Sequence, residues 1–241
     1  MSILYTKTEL LKKVDEWLTP EKISLLYKQN FVNYLGITSD TKEKYTEVIA
    51  EHLLSNLSAF DRIERISRES SYKTPGHEWK PIDYTSPRKE EQIARNMFEH
   101  TYPYIGKIID YQTPLKNSLK DPAGKIDLLS WNEDKKQAYI IEFKVPKADD
   151  KARQETLLRC ILEIETYSRI LDFNKLKYYF GLPAETALRK AILVYEFSIP
   201  HIQIRDTNMK KLMKKLGVDM FLMNKDNKVI EEHYYFEELE V

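Results

Sequence analysis

The chain has 241 residues, of which 42% are hydrophobic and 32% are charged, so it can bury a core and is not of the disordered class. It contains no run of about 18 apolar residues, which excludes a membrane-spanning helix, and its first residues lack a secretory signal pattern. The 38 basic and 38 acidic residues cancel, which excludes a uniformly basic nucleic-acid binder but leaves room for a local basic groove. The single cysteine, Cys160, cannot form an internal disulfide, and we expect a cytoplasmic protein with no membrane partner.

The first 75 residues are predicted to form a helical N-terminal region, because apolar residues recur there at helical spacing. A long helix is expected to begin near Ser39 and to run as far as Phe60. The segment 71–86 contains Pro75-Gly76 and predicts a loop. Residues 76–241 are expected to form a second, α/β domain.

In this second region the spacing of apolar residues alternates between that of helices and that of strands. Ser86 is a suitable N-cap and Pro87 a suitable first residue for a helix that ends near His100. The ranges predicted after it are strands at 107–113, 125–131 and 138–145, a helix at 152–171, a strand at 190–197, a helix at 208–216, and strands at 219–223 and 228–236. The order predicts a mixed central sheet flanked by helices. The polar turn at 132–136 predicts an antiparallel hairpin between the second and third strands.

The strand at 138–145 carries a charged pair inside an apolar run. Because side chains alternate along a strand, Glu142 and Lys144 point to one face, whereas Ile141 and Phe143 point to the other. Charged groups in a strand buried on both faces are costly to desolvate unless they are paired or bound to a metal. Two interpretations follow: a salt bridge at the end of a strand, or a metal ligand beside a catalytic lysine.

A second carboxylate, Asp127, lies inside the preceding apolar strand. Seven residues separate it from the centre of the hairpin turn, and seven separate Glu142, so the two acids are expected to be cross-strand neighbours. Two carboxylates in one buried place repel each other unless a cation or a proton lies between them. A hard divalent cation with oxygen ligands, Mg²⁺ or Mn²⁺, is the expected occupant.

These residues together resemble a known motif. Pro122, then Gly124-Lys125-Ile126-Asp127, then Glu142-Phe143-Lys144, are similar to the pattern of the PD-(D/E)XK, restriction-endonuclease-like nuclease superfamily. The resemblance covers residues 87–224 and implies a restriction-endonuclease-like core within an α/β fold that has an N-terminal helical extension. The proline-aspartate pair of the motif's name is absent, since Lys125-Ile126 stands before Asp127.

The resemblance also implies roles for single residues. Asp127 and Glu142 would bind the metal together with the backbone carbonyl of Phe143, and Lys144 would orient or deprotonate the attacking water. The family often has a further acid on its first helix, for which Glu91 is preferred over Glu90. Either glutamate also suits the first turn of a helix as a simple electrostatic contribution.

The helix predicted at 152–171 carries a polar stripe with a spacing of four residues. Its members are Glu155, Arg159, Glu163 and Tyr167. One interpretation is a ladder of salt bridges on the surface. The other is the wall of an active-site cleft, for which Arg159 and Glu163 are the candidates, and Gln112 could lie near the same cleft.

The remaining signals are weaker. The five histidines show no ligand spacing, so no structural zinc site is expected, and Cys160 is expected to be a buried packing residue. The basic face of Lys210, Lys211, Lys214 and Lys215 fits a solvated surface better than a phosphate contact.

We therefore expect a Mg²⁺- or Mn²⁺-dependent nuclease that acts on DNA. RNA or another phosphodiester is an alternative substrate, and a catalytically inactive nucleic-acid-binding or assembly protein is an alternative function. The oligomeric state is left open.

Overall fold

The computed structural model describes residues 4–66, 68–83, 85–116, 124–146, 155–224 and 229–231. Within this part of the chain, seven strands form one sheet, and they follow one another across it in sequence order. The strands are β1 (Thr101–Tyr102), β2 (Gly106–Pro114), β3 (Lys125–Asn132), β4 (Gln137–Lys144), β5 (Ala187–Tyr195), β6 (Val218–Met223) and β7 (Val229–Glu231). Strands β1 to β4 are antiparallel, β4 to β6 are parallel, and β7 returns antiparallel. The sheet is mixed, as predicted.

Seven α-helices accompany the sheet in the described residues. They are α1 (Lys7–Asp15), α2 (Tyr45–Leu54), α3 (Lys89–Met97), α4 (Leu157–Ile170), α5 (Phe173–Phe180), α6 (Ile199–Gln203) and α7 (Thr207–Leu216). Two 3₁₀ helices cover Ile23–Lys28 and Leu57–Arg62. No helix in the described residues is both long enough and apolar enough to cross a membrane.

The sheet separates two hydrophobic cores. Helix α3 packs on one face, where Ala94 and Met97 lie in a cluster with Leu128 and Phe143. The opposite face is covered by α4, α7 and the N-terminal helices. The chain is therefore an α/β protein with helices on both sides of its sheet.

Strand β4 confirms the predicted alternation. Ile140 lies in the core beneath α4, whereas Ile141 and Phe143 lie in the core beneath α3, and all three are fully buried. Glu142 and Lys144 therefore share the α4 side of the sheet.

The hairpin of β3 and β4 is also confirmed. The two strands are antiparallel, and Leu128 pairs with Ile141. The next positions in this register are Asp127 and Glu142, as equal strides from the turn predicted.

The N-terminal region shares its core with the rest of the chain. Leu10, Tyr45 and Phe60 belong to the same buried cluster as Leu158 and Leu212 of α4 and α7. The predicted boundary at residue 75 divides the sequence, but the hydrophobic core runs across it.

Polar contacts also tie the N-terminal region to α4. The N-cap of α4 is Thr156, whose side chain accepts a hydrogen bond from the backbone of Arg159. The same hydroxyl donates to the carbonyl of Val32 at 2.9 Å, and the Thr156 amide donates to Asn33 at 2.8 Å. The N-terminal region thus fixes the point at which α4 begins.

Three predicted helices have wrong boundaries. The helix predicted at 152–171, α4, begins only at Leu157, because Thr156 is its N-cap. The helix expected from Ser39 begins only at Tyr45, because Thr38 accepts a hydrogen bond from the amide of Glu43 and holds a turn. It also ends at Leu54, and a separate 3₁₀ helix follows. The helix expected at Pro87 begins at Lys89, since the Ser86 side chain accepts from the amide of Arg88 in a preceding turn.

The strands β2, β3, β4 and β6 and the helix α7 agree with the predicted ranges to within about one residue. Strand β5 begins and ends earlier than the predicted 190–197. Strand β1 and the short helices α5 and α6 were not predicted. Of the last predicted strand, 228–236, only Val229–Glu231 falls within the described residues, and Pro122 falls outside them.

The first testable prediction concerns Thr156. Replacing it by alanine removes the cap of α4 and the contact with Val32, so we expect the free energy of unfolding to fall by about 1–2 kcal/mol. Thr156→Ser keeps the hydroxyl and should retain most of the stability. Urea unfolding measures both, with Thr207→Ala at an exposed position as the control. Equal stability of the alanine and serine variants would contradict this role.

Candidate metal centre

Asp127 and Glu142 are brought together by the β3–β4 hairpin on the α4 side of the sheet. Both are buried, with 8% and 1% of their surface exposed. The two oxygens of Asp127 each accept a hydrogen bond of 3.0 Å, one from the Gln112 side chain and one from the backbone amide of Phe143. The carboxylate of Asp127 is therefore held in a fixed orientation.

Gln112 reaches Asp127 from the neighbouring strand β2. Its backbone has φ of 49°, in the left-handed region that non-glycine residues rarely adopt. Such a conformation costs free energy and persists only where the surroundings enforce it. The sequence suggested Gln112 as a residue near the cleft, and the structure places its side chain in contact with Asp127.

Lys144 occupies the centre of a ring of acids. Its ammonium lies 3.6 Å from Asp127 Oδ2, 3.8 Å from Glu90 Oε1 and 3.5 Å from Glu155 Oε2. It also forms a close ion pair with Glu142. Four carboxylates thus surround one lysine, of which only 17% is exposed.

The polar stripe of α4 faces this cluster. Arg159 lies 3.4 Å from Glu155 and 3.8 Å from Glu163, and Glu163 is 8% exposed. The stripe therefore lies at the wall of the site, not on an open surface. The two cleft candidates, Arg159 and Glu163, are both placed there.

Tyr167 is the last residue of the stripe, and it contacts Glu163, Tyr27 and Gly124. Its hydroxyl donates to Glu163 Oε1 at 2.7 Å, and its ring packs edge-on against Tyr27, at 5.9 Å between ring centroids. A Cβ on Gly124 would overlap the Tyr167 hydroxyl. Gly124 therefore allows α4 to lie close to the start of β3, and Tyr27 adds a contact from the N-terminal region that sequence reasoning did not identify.

The first-helix acid is Glu90, and the preference for Glu91 is wrong. Glu90 lies on the face of α3 that carries the buried Ala94 and Met97, so it points toward Lys144. Glu91 lies one helical step away and pairs with Arg88 at 3.5 Å, with 44% of its side chain exposed. The helix turns about 100° per residue, so neighbouring glutamates face different surroundings.

Burial and mutual repulsion raise the pKa values of the acids in the cluster. Desolvation raises the pKa of Glu142 well above its usual value, and the charges of Asp127 and Glu163 raise it further. Desolvation likewise raises the pKa of Asp127, and that of Glu90 to about 7. The protein thus places carboxylates where, without a further cation, protons are favoured.

The pKa of Lys144 is also raised, but the cause is the negative charge around it. Desolvation lowers the pKa of Lys144, but the charges of Glu142, Asp127 and Glu90 outweigh it, so the pKa lies well above its usual value. Lys144 is therefore protonated at neutral pH.

The donor set fits a hard divalent cation. Glu142, Glu155 and Glu163 each offer an oxygen, and these oxygens lie within 4.8 Å of one another. One oxygen each of Glu155 and Glu163 is buried without a hydrogen-bond partner in the described part of the chain. Carboxylate oxygens of this kind are preferred ligands of Mg²⁺ and Mn²⁺. The predicted ligands were Asp127, Glu142, the Phe143 carbonyl and Glu91, and this set shares only Glu142 with them. It adds Glu155, which precedes the N-cap of α4, and Glu163 of α4.

Cys160 is a buried packing residue, as predicted. It is fully buried, and desolvation raises the pKa of its thiol well above the usual value.

The comparisons with known proteins give no relative. No family model matches the chain, and neither the curated proteins nor the solved structures contain a match.

The second prediction uses the raised pKa of Glu90. Because this pKa is about 7 when folded and near 4.5 when unfolded, the folded state binds more protons between these values. Stability from this group is therefore lost as pH rises from about 5 to about 8. In a metal chelator, Glu90→Gln should be more stable than the wild type at pH 8, and the difference should shrink at pH 5.

The matched control for this prediction is Glu91→Gln, on the neighbouring half-buried residue that pairs with Arg88 outside the carboxylate cluster, and its stability should follow that of the wild type at both pH values. Urea unfolding at the two pH values measures the effect. A Glu90→Gln variant that is less stable than the wild type at pH 8 would contradict the prediction.

The third prediction concerns the metal. Glu142 belongs to both ligand sets, so Glu142→Gln should weaken Mn²⁺ binding by at least about tenfold in calorimetry. Asp127→Asn and Glu163→Gln tell whether one set or both are used. Glu165→Gln is the matched control, since Glu165 is also buried on α4 but is paired with Arg169 and Lys190. Mn²⁺ affinity that is unchanged in Glu142→Gln would rule out this centre.

Proposed function

We propose that the chain is a divalent-metal-dependent nuclease that hydrolyses phosphodiester bonds of DNA, with a restriction-endonuclease-like core. The observation that carries the proposal is the convergence of Asp127, Glu142 and Lys144 on adjacent strands, enclosed by Glu90 of α3 and by Glu155, which precedes α4. Mg²⁺ or Mn²⁺ is the proposed cofactor, and a nucleic acid is the proposed partner.

The arrangement of elements supports the proposed core. Helix α3 is followed by the antiparallel strands β2, β3 and β4, then by α4, and then by β5 parallel to β4. This is the element order that the resemblance implies for residues 87–224. The acids and the lysine lie on the central strands of that unit, with α3 and α4 on opposite sides.

When bound, the divalent cation supplies Lewis-acid polarisation of a phosphate oxygen. Asp127 and Glu142 would hold it, together with Glu155, which precedes α4, or Glu163 of α4. Gln112 and the Phe143 amide keep Asp127 oriented, so the ligand is placed before the cation arrives.

Lys144 acts in this proposal as a donor of hydrogen bonds and positive charge. Its raised pKa keeps it protonated, so it does not remove a proton from water in the metal-free state. A protonated ammonium at this position orients the attacking water and stabilises the negative charge that develops on the phosphoryl group. Of the two roles expected from the sequence, the proposal therefore gives Lys144 the orientation of the water and not its deprotonation.

Arg159 supplies the second positive charge of the site. It lies between Glu155 and Glu163, and its Nε is buried without a hydrogen-bond partner in the described residues. A planar guanidinium suits a phosphate oxygen as well as a carboxylate. We assign it the role of contacting the substrate phosphate.

One observation favours the alternative function. Lys144 forms a close ion pair with Glu142 and is largely buried, as in a structural salt bridge of a protein that keeps the fold without the activity. In that case the chain would be a binding or assembly protein. Lys144 would then stabilise the fold and would take no part in cleavage.

The fourth prediction separates these functions. Purified protein should cleave DNA in Mg²⁺ or Mn²⁺ but not in a chelator, and Lys144→Ala or Asp127→Asn should lower the rate by at least about 100-fold. Parallel assays with linear DNA, circular DNA and RNA identify the substrate.

The control for cleavage is Lys136→Ala, which removes a lysine from the far turn of the same hairpin. It should leave the rate within about twofold of the wild type, since exposed charge pairs contribute little. If a folded wild type binds Mn²⁺ but cleaves none of the substrates, the nuclease proposal fails and the binding function remains.

A further inference from the structure

A cavity of about 410 Å³ lies at the outer edge of β2, and none of its lining residues belongs to the carboxylate cluster. Strand β1 pairs with β2 only at Lys107 and Gly106, so the rest of this edge is left to other parts of the chain. The loop that carries Ser71, Lys73 and His77 forms one wall of the cavity, and Phe98 and Asp110 form part of the other. A volume of this size is within the range of small-molecule sites.

His77 is held rigidly at this cavity. Its Nδ1 lies 2.6 Å from Oδ1 of Asp110, which is 2% exposed, and Asp110 Oδ2 accepts a hydrogen bond from Thr113 at 2.7 Å. The imidazole also stacks on Tyr111 at 4.1 Å between ring centroids, with 15° between the planes. Both the position and the rotation of the ring are therefore fixed.

This arrangement leaves one nitrogen of the imidazole for a ligand. Asp110 engages Nδ1, and no group among the described residues hydrogen-bonds to Nε2. The side chain of His77 is 18% exposed, so a ligand can reach it. A protonated imidazole donates from both nitrogens, one to Asp110 and one outward.

The charge of the lining favours an anion. Lys73 and His77 are its basic groups, and Asp110 is its single acid, which already accepts from His77 and Thr113. The loop backbone is also accessible, since Gly76 has φ of 81° and open space where a Cβ would lie.

The rest of the lining is apolar. Phe98, Ile109 and Pro75 line the cavity beside the basic groups. An inorganic anion has no apolar surface to pack against these side chains, whereas the sugar and base of a nucleotide can pack on them.

We propose that this cavity binds a phosphate group carried by a nucleotide, with Lys73 and His77 contacting the phosphate and Phe98 the sugar or base. Asp110 and Gln112 are two residues apart on β2, about 7 Å along the strand, and Gln112 contacts Asp127. If the proposed nuclease function holds, the cavity would receive a further phosphate of the same substrate strand, because Asp110 lies on the strand whose Gln112 contacts Asp127. Binding of the nucleotide itself does not depend on that function.

The test is a titration followed by NMR of the imidazole C–H signals of the full chain, with a chelator present, at pH 6. The probes are thymidine 5′-monophosphate, thymidine and inorganic phosphate. The His77 signal is assigned by its loss in His77→Gln. We expect it to shift saturably with the monophosphate, more weakly with inorganic phosphate, and not with thymidine.

Lys73→Gln should weaken binding of the monophosphate by at least about fivefold, because a charged contact is lost. Lys73 is exposed, so its replacement should leave the fold unchanged. Lys80→Gln is the matched control: it removes another exposed lysine that follows in the chain, pairs with Glu78 and does not line the cavity. The affinity of the Lys80→Gln variant for the monophosphate should equal that of the wild type.

Three results would overturn the proposal: a His77 signal that does not respond to the monophosphate, an equal response to thymidine, or an unchanged affinity in Lys73→Gln. Equal affinity for inorganic phosphate and the monophosphate would overturn the nucleotide assignment. Since no metal is present and no cleavage is measured, the outcome is independent of the nuclease assay. A negative nuclease assay would not contradict the proposed binding of a nucleotide at this cavity.

Discussion

A single lysine ammonium lies within 4 Å of carboxylate oxygens from four acids, which come from α3, β3, β4 and the residue that precedes the N-cap of α4. With Glu163 and Arg159 included, the cluster holds five acids and two bases. Lys144 and Arg159 cannot neutralise that many carboxylates, so the excess must be met by protons or by a bound cation. The raised pKa values of Glu90 and Glu142 show that protons are favoured there in the absence of a cation, and a divalent cation bound by these acids is the proposed alternative. The fold tolerates this concentration of charge only because its elements hold the acids in place.

Several features of the fold serve that purpose together. The β3–β4 register sets Asp127 opposite Glu142, and Gln112 and the Phe143 amide hold Asp127 in orientation. Thr156, bound to Val32 and Asn33, fixes the start of α4 and hence the stripe that carries Glu163. The N-terminal region is thus part of the scaffold of the site, as its shared hydrophobic core also indicates.

Much of the centre could be predicted from the sequence because it depends on local periodicity. Alternation along β4 and equal strides from the turn place Glu142, Lys144 and Asp127 correctly, and a spacing of four residues gives the stripe of α4. The choice between Glu90 and Glu91 was wrong, because it depends on the rotation of α3 about its axis, which tertiary packing of Ala94 and Met97 decides. Tyr27 was missed for a similar reason: it approaches Tyr167 from far away in the sequence, and no local pattern marks that contact. The helix boundaries near Ser39 and Pro87 were wrong because side-chain hydrogen bonds in turns outweighed helix propensity there.

The most direct test of the central claim is anomalous diffraction at the manganese edge from crystals soaked in Mn²⁺. We expect a peak within about 2.5 Å of an oxygen of Glu142 and of at least one of Asp127, Glu155 and Glu163, with the Lys144 ammonium moved away from Glu142. No peak at the cluster, with Lys144 still in its ion pair with Glu142, would contradict it. The charges would then be balanced by protons and salt bridges alone.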